Sequence, residues 1–185
     1  RPFLGGNIIM IRLLTACLAL MCWSQAGLAL DLTLQEILQQ NKTLVEKPSR
    51  KTIGPVIDEI TASASSQAQV FLEAWGGKRV WQRRSDGLFF IGTEVAKRQY
   101  LLSNPDSGET VGEFSKKDLK QLKPNSGVRA LIATALVQFQ LTDADPAKRA
   151  EALLAMERRP SAEHLVPLRG TIAEESDADL KARKS

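Results

Sequence analysis

Few side chains in this sequence have the types and spacing that catalysis needs. His164 is the only histidine among the 185 residues, and a zinc site needs several converging histidine or cysteine ligands. A histidine that acts as a general base needs a nucleophile and an orienting carboxylate, and no recognisable spacing around His164 supplies them. It stands beside Glu163 near a predicted helix start, where a solvated or capping role is the simpler interpretation. The sequence therefore predicts no enzyme and no cofactor.

Two acidic pairs could instead bind a metal ion. Asp143 and Asp145 precede one predicted helix, and Asp177 and Asp179 precede another. A calcium loop needs a glycine at its tight turn and a glutamate at its far end, and both are missing here. Aspartates directly before a helix are typical N-caps, because the carboxylate accepts hydrogen bonds from free N–H groups of the first turn. We therefore interpret the four aspartates as caps and expect no metal.

Four lysines close together in the chain form the candidate contact surface. They are Lys116, Lys117, Lys120 and Lys123. Such a cluster can contact an acidic partner or lipid headgroups, but a solvated face is the simpler interpretation for so few charges. The net charge of the chain is +4, which is too small to indicate a nucleic-acid-binding protein.

The first thirty residues differ in composition from the rest. A basic start at Met10, a short apolar run and a small-residue exit predict a secretory signal peptide over residues 10–29, with cleavage before Leu30. Residues 1–9 resemble translated upstream sequence. Two alternatives stay open: an uncleaved anchor helix, although the run is short for a span of about 20 residues, and a lipoprotein signal at Cys17. Both cysteines lie in this leader, so the mature chain is expected to contain no disulfide.

The elements that position these residues begin with a helical segment and a small sheet. Residues 31–77 are predicted to be helical, opened by a capping box at Thr33 and Glu36 and ended by a left-handed stop at Gly76-Gly77. Residues 78–114 contain short apolar runs separated by glycine and aspartate turns. That pattern predicts an antiparallel insertion of four short strands, which could curl into an SH3-like half-barrel.

Helical periodicity returns in residues 115–185, which we expect to be truncated at Ser185. Leu119 and Leu122 are predicted to lie in a short helical turn. The longest apolar stripe consists of Val128, Leu131, Ile132, Ala135, Leu136 and Phe139. Ala150, Leu153 and Leu154 are also predicted to face inward, and a further segment that opens at Ser161 contains Leu165, Leu168 and Ile172. Asp145 with Pro146 opens the following helix. Its pattern with Arg149 recurs at 177–183, which suggests stacked HEAT-like hairpins. The predicted fold class is mainly α with a small β insertion (α+β), with HEAT-like helical hairpins flanking a short antiparallel sheet.

Two stretches of this sequence resemble a known family. They are "WQRRSDGLFFIG" and "LKQLKPNSGVRALIATALVQFQLTDADPAKRAEALLAMERR". Both are similar to the N-terminal extracytoplasmic region of urea ABC transporter permease subunits, which belong to the branched-chain amino acid permease type. In that family an Asn-x-x-x-Arg helix is followed by HEAT-like acidic turns. Asn125, Arg129, Asp145 and Arg149 occupy those places here.

The resemblance implies a role in urea uptake. The implied partners are a second permease subunit, ATPase subunits and a periplasmic urea-binding protein. The implied location is the periplasmic side of the inner membrane, with the membrane reached through a C-terminal region that is missing here. Docking or assembly, rather than urea binding, is the expected contribution of this region. A free-standing secreted HEAT-like adaptor is the alternative. The reading frame beyond Ser185 would distinguish the two, because a permease continues into apolar stretches of about 20 residues.

Overall fold

The computed structural model describes residues 32–63, 65–158, 160 and 162–185. Within these ranges, eight α-helices and one five-stranded antiparallel sheet form an α+β fold, which confirms the predicted class. The predicted signal peptide at residues 10–29 and the preceding residues 1–9 lie outside the described residues.

Four helices precede the sheet. They are α1 (Leu34–Gln40), α2 (Lys42–Glu46), α3 (Gly54–Ala62) and α4 (Ala68–Gly76). The capping box predicted before α1 is present. The Glu36 backbone N–H donates to the Thr33 hydroxyl at 3.2 Å, and the Thr33 N–H donates to the Glu36 carboxylate at 2.9 Å. Pro55 occupies the first turn of α3, where its missing N–H leaves no intrahelical hydrogen bond unmade.

The sheet follows with one strand more than the sequence predicts. Its strands are β1 (Val80–Arg83), β2 (Phe89–Ala96), β3 (Gln99–Ser103), β4 (Thr110–Ser115) and β5 (Leu119–Gln121). Their order is β4-β3-β2-β1-β5, and a 3₁₀ turn at Lys116–Asp118 carries the chain from β4 to β5.

The predicted end of the insertion at residue 114 is therefore too early, and the helical turn expected around Leu119 and Leu122 is wrong. Instead, Arg83 pairs with Leu119 and Trp81 with Gln121. In a strand, residues three apart point to opposite faces. Leu119 and Leu122 can therefore bury their side chains in two different apolar clusters, which a single helical turn would not allow.

Four helices follow the sheet. They are α5 (Ser126–Leu141), α6 (Pro146–Arg158), α7 (Leu165–Ile172) and α8 (Ala178–Lys184). A 3₁₀ turn at Ala162–His164 leads into α7. The Asn125 side chain caps α5 by accepting the Val128 N–H at 3.0 Å.

Hydrogen bonds between α1 and the sheet fix the first helix on the strands. The Gln35 side chain donates to the Phe89 carbonyl at 2.8 Å and accepts the Phe89 N–H at 3.0 Å. Asp106, in the β3–β4 loop, accepts the backbone N–H groups of Leu34 and Gln35. A carboxylate at a helix N-terminus also interacts favourably with the helix dipole.

The apolar side chains form three clusters. The largest joins α1–α5 to one face of the sheet, which contributes Val80, Phe89 and Ile91. The second lies on the other face, where the ring centroids of Trp81 and Tyr100 are 4.3 Å apart. The third joins the end of α5 to α6 and α8. One face of the sheet thus belongs to the helical core, and the other has its own aromatic core.

The α5 stripe is narrower than its periodicity predicts. Val128 and Ile132 are fully buried, whereas Leu131, Ala135, Leu136 and Phe139 are only partly buried against the main cluster. Leu153 is buried as predicted, but Leu154, which is also predicted to face inward, is 41% exposed. Periodicity identifies a helix face, but the neighbouring helices decide how much of it is covered.

The two copies of the sequence repeat use different aspartates as helix caps. Asp145 caps α6 by accepting the Ala147 N–H at 2.9 Å. The repeat pairs Asp145 with Asp179, yet α8 is capped by Asp177, which accepts the N–H groups of Asp179 and Leu180 at 3.0 Å. The two helices therefore begin at different points of the repeat, and the HEAT-like arrangement stays a prediction.

The predicted left-handed stop after α4 is displaced by one residue. Gly76 lies within the helix and Gly77 has φ −81°, whereas Lys78 has φ 59°. The Arg79 N–H donates to the Ala74 carbonyl at 2.7 Å, which is the long bond of a Schellman motif. The position that favours glycine is therefore filled by a lysine.

We expect Lys78→Gly to stabilise the protein by about 1 kcal/mol, because a side chain in the left-handed region costs about 1–2 kcal/mol and glycine's larger unfolded-state entropy offsets part of the gain. Urea denaturation measures the difference. Lys47→Gly is the matched control, since Lys47 also caps a helix but has φ −132°. An unchanged or lower stability of Lys78→Gly would contradict the argument.

Candidate functional site: a basic surface on the sheet and a buried ion cluster

The four predicted contact lysines do not form one surface. Lys120 lies on β5 with its Nζ 3.1 Å from Glu46 Oε2, and Glu46 also accepts a hydrogen bond from the Gln82 amide at 2.8 Å. The Gln82 hydrogen bond, followed by that from Lys120, lowers the pKa of Glu46. Lys120 thus joins the sheet to α2. Lys123 is exposed beyond the end of β5.

Lys116 and Lys117 remain together on the 3₁₀ turn, and the fold brings further basic residues to them. The Lys116 N–H donates to the Arg98 carbonyl, and the Arg84 N–H donates to the Asp118 carbonyl, both at 2.9 Å. The β2–β3 turn and the end of β1 therefore meet the two ends of the 3₁₀ turn. We define the basic surface as the exposed side chains of Arg84, Lys97, Arg98, Lys116 and Lys117.

This surface carries a surplus of positive charge. In the part of the chain that the structure describes, none of its five basic side chains is in an ion pair. Acidic residues near it include Asp118, on the turn itself, and Glu94, whose carboxylate accepts the Arg98 N–H at 3.1 Å. Of these five residues, only Lys116 and Lys117 are grouped by the sequence, because Arg84 and the β2–β3 turn residues Lys97 and Arg98 reach them only through the sheet.

A groove with aromatic and cationic walls lies beside the basic surface. Its volume is about 470 Å³, and it is lined by Arg83, Arg84, Ser85, Phe114 and Asp118. The Arg83 guanidinium carbon lies 4.6 Å from the Phe90 ring centroid and 5.2 Å from that of Phe114. A cation over an aromatic face is electrostatically favourable. We call this feature the Phe114 groove.

Asp86 holds the Arg83 side chain in this position. The Arg83 Nε donates to Asp86 Oδ2 at 3.1 Å, and this arginine hydrogen bond is the main cause that lowers the pKa of Asp86. Asp86 therefore balances the charge of Arg83, whose side chain lines the groove, while the neighbouring Arg84 side chain is exposed.

A buried ion cluster lies at the far end of the helical region. Glu175 Oε1 accepts from Arg149 Nη2 at 2.8 Å, and Oε2 accepts from Arg149 Nε at 3.0 Å. Lys184 Nζ lies 2.8 Å from Glu175 Oε2 and donates to the Leu141 carbonyl at 3.0 Å. The side chains of Glu175 and Lys184 are each 1% exposed. Hydrogen bonds from Arg149, then from Lys184, lower the pKa of Glu175 to about 2.

The cluster joins segments that are distant in the sequence. Arg149 Nη1 also donates to the carbonyls of Asp143 and Ala144, at 2.7 and 3.2 Å. The end of α5, the start of α6, the loop before α8 and the end of α8 are therefore connected. A pocket of about 260 Å³ adjoins the cluster. Because the cations already donate to Glu175 and to backbone carbonyls, we assign the cluster a structural role.

His164 and the possible metal ligands were also candidates in the sequence. His164 is half-buried at the end of its 3₁₀ turn and makes no capping hydrogen bond to α7, so the capping interpretation is wrong. Its Nδ1 is buried and has no hydrogen-bond partner in the described ranges. No group of three or more potential metal ligands occurs among the residues that the structure describes.

The residues that carry the family resemblance have mainly structural roles. Asn125 and Asp145 cap helices, and Arg149 belongs to the ion cluster. Arg129 is exposed on α5. The resembling residues therefore include two helix caps and one arginine that forms a long-range ion pair with Glu175.

Comparisons of the chain with known protein families, with curated proteins and with solved structures found no match. Among the described residues, no helix has the length and apolar character that crossing a membrane requires.

Proposed function

We propose that this chain is an extracytoplasmic region of a urea ABC transporter permease subunit. It contributes to urea uptake by docking a partner or supporting assembly, without catalysis and without binding urea itself. The complex comprises a second permease subunit, ATPase subunits and a periplasmic urea-binding protein. The chain lies on the periplasmic side of the inner membrane, to which residues 10–29 direct it.

One observation carries the proposal: the sequence resemblance is strongest where three of its four residues cap helices or pair in the ion cluster. From Leu119 onward it spans β5, α5 and α6. It includes the caps Asn125 and Asp145 and the buried Arg149. Helix caps and buried, paired arginines depend on backbone geometry and burial, so a sequence likeness at these positions supports a similar architecture.

The basic surface supports docking as the contribution of this region. Complementary charge speeds association and selects partners, and five exposed basic side chains converge here without ion-pair partners among the described residues. Urea is small and neutral, and its recognition needs an enclosed pocket with several fixed donors and acceptors. The Phe114 groove is instead open and cationic.

Isothermal titration calorimetry of the purified chain tests both parts of the proposal. With urea, we expect no saturable heat at micromolar ligand. With the periplasmic urea-binding protein of the same transporter, we expect saturable heat that weakens about tenfold as salt rises from about 0.05 to 0.5 M, because salt screens exposed charges. Saturable heat with urea would reject the first part. Absence of heat with the binding protein at low salt would reject docking to it.

A further inference from the structure

We propose that the basic surface and the Phe114 groove bind one partner: an acidic, extended protein segment that places one apolar side chain in the groove. This inference deepens the docking role proposed above and rests on it, but not on which transporter the chain serves.

The first step is the charge of the surface. None of the five basic side chains of this surface lies within 4.0 Å of a carboxylate of the described residues. What sets them apart from single exposed lysines elsewhere is that three segments bring them together at the 3₁₀ turn. Basic side chains that converge from three segments repel one another, and an anionic partner relieves that repulsion.

The second step is the shape beside that charge. The Phe114 groove is open to solvent, with half-buried Phe114 on one side and the Arg83 guanidinium over its ring. A lipid headgroup layer offers charge but inserts no single side chain into such a groove. An apolar side chain flanked by carboxylates meets the aromatic wall and the surrounding cations at the same time. The combination therefore favours a protein segment over a membrane surface.

The third step is the spacing of the partner. In an extended chain, side chains two residues apart point to the same side and are about 6.6 Å apart. A central apolar residue can therefore enter the groove while acidic residues two positions away on either side meet the basic surface. Arg84 lies on the groove wall itself, and Lys117 lies on the adjoining turn. The partner pattern is thus acid, any residue, apolar, any residue, acid.

Fluorescence anisotropy with the full chain tests this pattern. The probe is a labelled peptide in which one central leucine is flanked by glutamates at alternate positions, with glycines between them. We expect saturable binding that weakens at least about tenfold between about 0.05 and 0.5 M salt. A peptide with lysine in place of each glutamate is expected not to bind. Replacing the central leucine with glycine is expected to weaken binding several-fold without altering its salt dependence.

Charge-reversal variants locate the site. Lys117→Glu and Arg84→Glu are each expected to weaken peptide binding at least about tenfold, since a like charge then faces the glutamates. Lys51→Glu is the matched control, because Lys51 is an exposed lysine in the loop before α3 and its reversal changes the net charge equally. The control is expected to retain affinity within about twofold. All three positions are exposed, and thermal melting confirms that each variant folds.

Three results would overturn the proposal. One is absence of peptide binding at low salt, and another is equal weakening by Lys51→Glu. The third is binding to vesicles that contain phosphatidylserine, lost in Lys117→Glu, with no binding to the peptide. That result would assign the surface to a membrane. Peptide binding that persists while the urea-binding protein gives no heat would reject the proposed transporter partner and leave this inference standing.

Discussion

Glu175→Gln is expected to destabilise the protein by about 3–5 kcal/mol, the usual cost of breaking a buried ion pair by removing one partner. The carboxylate accepts hydrogen bonds from both Arg149 and Lys184. Glutamine leaves two buried cations without a counter-charge. This loss is a large part of a typical total stability of about 5–15 kcal/mol. We therefore expect the C-terminal helices to unfold at a lower urea concentration than the rest of the protein.

The neighbouring residue provides a matched control. Glu174 is exposed, and Glu174→Gln removes the same charge one position away. It is expected to change the stability by less than about 0.5 kcal/mol. Urea denaturation followed by circular dichroism measures both variants. If the two behaved alike, the buried cluster would contribute nothing specific to stability.

The same cluster predicts a pH dependence. The pKa of Glu175 falls from 4.5 to about 2 on folding, so the unfolded state binds the proton more readily. The stabilisation is therefore complete above pH 4.5 and is lost progressively as the pH falls towards 2. In acid, the wild-type carboxyl becomes neutral, like the amide of Glu175→Gln. The stability difference between wild type and variant should therefore shrink as the pH is lowered from about 6 to 3. A difference that stays constant over that range would contradict the assigned role.

Ile132→Asp is expected to prevent stable folding of the region around α5. Ile132 is 1% exposed within the main cluster, and its side chain packs near Gly76 of α4. A buried carboxylate without a partner costs several kcal/mol, in addition to the lost apolar burial of about 1.5–3 kcal/mol. Ala133→Asp, at an exposed position of the same helix, is the control. We expect it to remain folded, apart from a loss of helix propensity of below about 1 kcal/mol.

Leu131→Asp distinguishes the observed core from the predicted stripe. Periodicity alone gives Leu131 and Ile132 equal weight, whereas the structure buries Ile132 fully and Leu131 only in part. We therefore expect the melting temperature of Leu131→Asp to lie between those of Ile132→Asp and Ala133→Asp. If Leu131→Asp and Ile132→Asp destabilised the protein equally, Leu131 would belong to the core as fully as Ile132.

Local interactions were predictable from the sequence because they join residues within about four positions. The capping box at Thr33 and Glu36 is of this kind, as are the cap Asp145 and the change from helical to strand periodicity after α4. The α+β class follows from such local patterns. The end of α4 shows the limit of such local patterns. The pair Gly76-Gly77 predicted a left-handed residue there, but the left-handed residue is Lys78.

The tertiary structure alone decided the features on which the proposals depend. Arg149 and Glu175 are 26 positions apart, and Arg84 meets Asp118 through a backbone hydrogen bond. No periodicity connects such residues, because their proximity depends on how helices stack and how the sheet bends. The same packing turned Lys120 towards Glu46 and left Lys116 and Lys117 exposed. The sequence therefore determined the main helical and strand segments and several of their caps, while the packing of those elements determined which charges are buried, paired or free to meet a partner.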